Sequence, residues 1–301
     1  MKPDYLKAKD TIGIVAPARQ IAESEVMPTV NFLEKHGFCV EFGQNLFKQH
    51  HQFAGLDEER VADMQYMLNA PHIKAIFSAR GGYGSARIID KLDFSAFIEK
   101  PKWLCGYSDF TVFHSHIHTL CQIPTLHTFM PVNLTDATCI NEEVTTFLKA
   151  IKGETLEYYI PHHNLNRPGK SEGVLVGGNL SVIYSLLGSP SDIDTDGKIL
   201  FLEDLDEYLY HIDRMMLNLK RNGKLENLAG LLIGTFSDMH DNEIPYGKIA
   251  EEIIAEHCAE YNFPICFNFP AGHLSPNCAL KLGEPTTLTV KHQQQSHLKF
   301  L

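Results

Sequence analysis

Long apolar runs, basic clusters and paired cysteines are all scarce in this sequence, and each shortage closes off a class of function. No run approaches the roughly 18 apolar residues of a membrane-spanning helix. The first apolar stretch, TIGIVAPA, is short, follows charged residues and is broken by Pro17. It reads as a first strand and not as a secretory signal, so the expected location is the cytoplasm. Positive charge is in deficit: 26 Lys and Arg stand against 37 Asp and Glu, a formal net charge of −11, with no basic block. Nucleic acid and anionic membrane surfaces are therefore excluded as expected partners. Seven cysteines, among them Cys105 in WLCG and Cys266 in FPICFNFP, form no CxxC pair, and their number is odd. Reduced, buried thiols fit this better than a disulfide framework or a zinc knuckle. Tryptophan occurs once, at Trp103. Internal repeats and low-complexity tracts are absent.

What is present is the composition of an ordinary globular protein: 301 residues, 44% apolar and 21% charged. That length permits one large α/β domain or two smaller ones. The first half alternates strand-like and helix-like segments. Strands are expected at 11–17, 38–43, 72–80, 103–107 and 124–129. Helices are expected at 23–36, at 57–70 and from just after GYSD through Leu120. Such alternation predicts a doubly wound parallel sheet of flavodoxin or Rossmann type over residues 1–158. Residues 159–173 hold IPHHNLNRPGKSEG, with two prolines, two glycines and little apolar content, and read as a linker. Residues 174–301 read as a smaller mixed α/β domain.

Ligands of doubly wound sheets sit at the carboxyl ends of the strands. Two segments fall there. In LCGYSDF, a strand meets a corner at Ser108 and a helix follows. A serine so placed is either a helix N-cap or a nucleophile lifted clear of the sheet. In the second case the backbone N–H of Asp109 can stabilise an oxyanion. Phe110 stands where the usual elbow pattern has a second glycine. The other segment is Arg80-Gly81-Gly82-Tyr83-Gly84, which is either a tight turn or a second oxyanion donor and substrate floor. No Walker-type Lys-Ser/Thr follows it.

A nucleophilic serine needs a base, and the base needs an orienting group. Sixteen histidines compete for the role. His114, His116 and His118 form HxHxH, which invites a metal reading, but residues two apart on a helix face different ways. A packing role explains them better, and no metal or cofactor is expected. His273 lies in the Gly/Pro-rich loop FPAGHLSPN, where functional residues are often held. For the acid, ILFLEDLDE offers Glu203, Asp204, Asp206 and Glu207. The last three lie toward the following helix, whose first turn favours acids.

These pieces together resemble the LD-carboxypeptidase family, serine peptidases that include murein tetrapeptide carboxypeptidases and microcin C self-immunity peptidases. The matching stretches are TIGIVAPA, ARGGYGSARIID, GYSDFT, LVGGNLS, ILFLEDLDE with YLYHIDRMMLNL, and FPAGHLSPNCALKLGE. They run in the expected order over almost the whole chain. The resemblance implies a Ser-Glu-His triad at Ser108, Glu203 and His273, with Asp109, Gly81, Gly82, Tyr83 and Asn179 around the oxyanion and substrate. It implies a homodimer, and hydrolysis of the L,D-peptide bond before a C-terminal D-amino acid during muropeptide recycling. One departure bears on substrate preference: where the family has a His-Gly-Pro-Met run, this chain has His127-Thr128-Phe129-Met130. Three rivals remain at this level. They are the same chemistry on a peptidyl-nucleotide antibiotic, a non-catalytic protein binding an anionic ligand, and an amidotransferase-like enzyme using Cys105.

Overall fold

The computed structural model describes residues 1–301. Five parallel strands open the chain: β1 (Thr11–Val15), β2 (Cys39–Phe42), β3 (Ile73–Ser78), β4 (Trp103–Gly106) and β5 (Thr125–His127). β1, β3 and β4 are apolar on both faces and almost entirely buried. That is the pattern of parallel strands covered by helices on both sides. The helix Glu23–Lys35 carries Glu23 and Glu25 in its first turn and Lys35 in its last, in accord with its dipole.

A second sheet is built from β6 (Glu157–Ile160), β7 (Gly169–Asn179), β8 (Ile199–Leu205), β9 (Gly230–Ser237), β10 (Ile265–Cys266), β12 (Pro285–Val290) and β13 (Ser296–Phe300). Its order is β10-β9-β8-β7-β12-β13-β6. The β7-β8-β9-β10 half is parallel, and the β12-β13-β6 half is antiparallel. The remaining strand, β11 (Leu280–Leu282), leaves this unit and pairs antiparallel with β5. The first sheet therefore runs β11-β5-β4-β3-β1-β2.

The two units are stitched together. The end of β6 and the start of β7 fall in the Pro/Gly-rich stretch, and β6 pairs with β13 near the other end of the chain. One buried cluster of 42 residues spans both sheets, joining Ile14, Phe77 and Phe129 to Leu175, Phe201 and Leu280. No helix is long and apolar enough to cross a membrane.

Candidate active site

Ser108 follows β4 after one residue, Tyr107, in a left-handed backbone conformation with φ of +60°. A non-glycine residue there costs on the order of 1–3 kcal/mol and persists only where its surroundings hold it. The hold is visible. A single 3₁₀ turn, Ser108–Phe110, leads into the helix Thr111–Cys121. Asp109 is buried, and its carboxylate accepts the Ser85 N–H at 2.9 Å. Burial raises the Asp109 carboxyl above its ordinary value, and these Ser85 contacts oppose the rise. The serine corner and the glycine loop are thus tied together through Asp109.

The approach is close at Gly81. A Cβ there would lie 3.0 Å from both Cβ and Oγ of Ser108. Gly81→Ala tests this crowding with no change in backbone class. It should lower kcat/KM by roughly tenfold or more, a cost of at least about 1.4 kcal/mol in the transition state, with the circular dichroism spectrum unchanged. Wild-type kinetics in this variant would show that the loop does not adjoin the reacting atoms.

The second unit faces this corner. Gly178, at φ +143°, lets β7 reach the helix start: a Cβ would lie 2.5 Å from Thr111 Oγ1. The next residue, Asn179, donates its backbone N–H to that same oxygen at 3.0 Å. Its side chain caps the helix Leu180–Leu186 by accepting from Val182 N, and donates from Nδ2 to Asp204. The Asn179 backbone thus links the two units, and its side chain is engaged within the second.

Glu203 lies opposite Asn179 in the β7–β8 register. The β8–β9 register shifts between Leu202 and Asp204. Such a bulge re-aims side chains, and here it lets two successive carboxylates be fully buried. Glu203 Oε2 lies 2.7 Å from His273 Nδ1, while Oε1 has no partner within the protein. Asp204 accepts from Asn179 Nδ2, Ser181 N and Leu205 N. Burial and the adjacent Glu203 push its pKa up to about 7. The expectation that Asp204 belongs with the solvated acids of the next helix is therefore corrected. It is a buried anchor at the cavity wall, whereas Asp206 and Glu207 reach solvent at the rim.

His273 is held from several sides. Burial of its ring lowers the pKa, but the charge and hydrogen bond of Glu203, helped by Asp204, outweigh this and leave it above the usual histidine value. The Tyr107 ring packs on it at 4.8 Å. Its loop is pinned by Asn277, whose Oδ1 accepts from Gly272 N at 3.0 Å and lies 3.0 Å from Nε2 of the buried His127. Asn277 also donates its backbone N–H to Glu143 across the units. The departure after β5 thus leaves His127 fastened to the loop that carries His273.

Ser108, Asp109, Gly81, Gly82, Asn179 and His273 line one cavity of about 430 Å³ between the units. Glu203 stands behind His273. Tyr83 is not on this wall; it is half exposed, and its ring lies 6.1 Å from Phe53. Arg19, Arg80, Asp206 and Glu207 also line the cavity, and local pattern alone did not single them out as ligand contacts. The one usable signal was Arg80 itself, a cation at a strand's carboxyl end beside a glycine loop.

The remaining candidates have other occupations. His114 is buried between Thr125 Oγ1 and the Gly106 carbonyl, and burial lowers its pKa to about 4. His116 bonds Ser191. No three His, Cys, Asp or Glu side chains converge as a metal site would need. Cys105 is buried inside β4, and burial pushes its thiol far up, away from the thiolate a nucleophile needs.

A strained serine after a parallel strand, with a carboxylate-bound imidazole on the same cavity, has the parts of a serine hydrolase on an α/β scaffold. Comparison with known proteins narrows the class. Residues 12–128 match the LD-carboxypeptidase N-terminal domain, and residues 172–288 match the LD-carboxypeptidase C-terminal domain. The chain belongs to the LD-carboxypeptidase family and is a serine-type carboxypeptidase. A probable murein peptide carboxypeptidase of Bacillus subtilis is 37% identical over 289 residues, covering 94% of this chain and 89% of its own. The crystal structure of muramoyltetrapeptide carboxypeptidase from Oxalobacter formigenes has 26% identity and a TM-score of 0.88, covering 96% of this chain and 98% of that one. The Microcin C7 self-immunity protein MccF of Escherichia coli is 26% identical over 316 residues, covering 92% of this chain and 90% of its own.

Proposed function

We propose that the protein removes the C-terminal D-amino acid from muropeptides by cleaving the L,D-peptide bond before it, as a cytoplasmic homodimer that recycles wall peptides. The observation that supports the chemistry is that Ser108, at φ +60°, and His273, bonded to Glu203 at 2.7 Å, line one cavity. Ser108 Oγ attacks the scissile carbonyl, and His273 Nε2 takes its proton. The backbone N–H of Asp109, with that of Gly81 or Gly82, receives the oxyanion. His273 then returns the proton to the leaving amine, and water reverses the sequence on the acyl-enzyme. Glu203 fixes the Nδ1–H tautomer and stabilises the imidazolium.

The substrate assignment draws on the relatives named for murein peptides and on a cavity sized for a few residues. The peptidyl-nucleotide reading draws on the likeness to MccF. Against it, Trp103 is fully buried, its Nε1–H donated to the Asp4 carbonyl, and offers no face to a base. Mass-read hydrolysis of matched L,D- and L,L-tetrapeptides and of a peptidyl-adenylate analogue separates the readings. The expected result is loss of the last residue from the L,D-tetrapeptide alone. Exclusive cleavage of the nucleotide conjugate would transfer the assignment to the immunity-type reaction.

A further inference from the structure

A carboxypeptidase must recognise the free carboxylate at the end of its substrate. In a chain with a net charge of −11, the wall around Ser108 nevertheless holds two arginines, Arg19 and Arg80. We propose that Arg80, flanked by Arg19, binds the substrate's C-terminal carboxylate and so confines the enzyme to the last residue. This rests on the reading of Ser108 as nucleophile.

Reach supports Arg80. One residue of chain spans at most about 3.6 Å. The terminal carboxylate therefore lies within about one residue's length of the carbonyl that Ser108 attacks. Its recogniser has to come from a segment adjoining Ser108. Arg80 directly precedes Gly81, the residue whose Cβ position lies 3.0 Å from Ser108 Oγ. The Arg19 stem lies over Gly82, in the same loop.

Pairing supports it too. Arg60 and Arg87, in the same half of the chain, both bind Asp57. Neither Arg19 nor Arg80 has a carboxylate of the protein within ion-pair distance. Arg80 Nη1 donates to the Gln20 carbonyl at 3.0 Å, and this is its one side-chain hydrogen bond to the protein. That bond orients the guanidinium and leaves other donors free. A planar fork of donors matches a carboxylate in a way an ammonium does not.

The surroundings set the direction. Asp206 and Glu207 line the same cavity and repel a carboxylate toward the arginines. On the other side of Tyr107 and His273, a neighbouring cavity of about 390 Å³ carries Asp136 and Glu143 and no lysine or arginine. The terminal anion therefore has one favourable station near Ser108.

The test compares kcat/KM for an L,D-tetrapeptide with that for its C-terminal amide. Wild type should prefer the free acid. Arg80→Gln, which can still donate to the Gln20 carbonyl, should lower the acid-to-amide ratio by roughly 30-fold, the scale of one charged hydrogen bond, while the amide rate is little changed. Arg80→Lys, which keeps the charge but not the fork, should fall between, and it carries the test should Arg80→Gln fail to fold. A wild-type ratio near one, or an unchanged ratio in either folded variant, overturns the assignment of Arg80 alone. Failure of wild type to cleave either peptide overturns the muropeptide reading and this proposal with it.

Discussion

Ser108→Ala abolishes turnover: kcat falls by about 10⁴ to 10⁶, as for loss of the nucleophile in a serine protease, while the fold and substrate binding persist. The alanine keeps the Cβ and the left-handed backbone, so Asp109 still accepts from Ser85 and the turn into the helix at Thr111 is retained. Only Oγ is removed. Equilibrium binding of an L,D-tetrapeptide should therefore stay within a few-fold of wild type, since a neutral hydroxyl contributes about 1 kcal/mol to ground-state binding. This outcome also separates the enzyme from an anionic-ligand-binding protein, for which the substitution would remove nothing measurable. A folded variant keeping a tenth of wild-type kcat would move the nucleophile elsewhere.

Glu203→Gln preserves shape and removes charge. The expected loss is again large, about 10⁴ in kcat by analogy with the triad acid of serine proteases, with KM little altered. A second readout distinguishes orientation from simple damage. His273 must be neutral at Nε2 to act as base, so kcat/KM falls as pH drops through the His273 pKa. In wild type the charge and hydrogen bond of Glu203, together with Asp204, outweigh burial and hold that pKa above the ordinary histidine value, 6.5. Without the charge, burial is opposed only by Asp204, and the acidic limb should move to lower pH. Asp206→Asn and Glu207→Gln, on the rim, should leave both kcat and the limb close to wild type. An unshifted limb together with wild-type kcat in a folded Glu203→Gln enzyme would remove Glu203 from the triad.

The parts that local pattern made legible are those whose surroundings are themselves local. β1, β3 and β4 are apolar on both faces, and that run is visible in TIGIV, IKAIFS and WLCG. The corner at Ser108 is legible as strand, turn and helix, and Glu203 as a carboxylate closing an apolar run, although β8 continues past it to Leu205. What depends on distant pairing is not legible. β11 has three residues and joins the first sheet through β5, more than 150 positions earlier. Asp204 reads as a solvated acid of the following helix's first turn, whereas β8 continues through it to Leu205 and the bulge between Leu202 and Asp204 leaves both carboxylates buried. Tyr83 looked like a cavity residue from its place in the glycine loop, but its ring stands outside, near Phe53. Asn277, which pins the His273 loop, has no motif at all; its importance appears only when Gly272, His127 and Glu143 are seen around it.

The central claim is that Ser108 forms the acyl-enzyme. An L,D-depsipeptide, with a terminal D-hydroxy acid in place of the D-amino acid, has a better leaving group and favours accumulation of that intermediate. Acid-quenched reactions can be read by intact mass and then by peptide mapping. The prediction is a protein heavier by the acyl portion of the substrate, with the added mass on the peptide containing Ser108 and absent in Ser108→Ala. An adduct on Cys105 or any other residue, or undiminished turnover in Ser108→Ala, would contradict it.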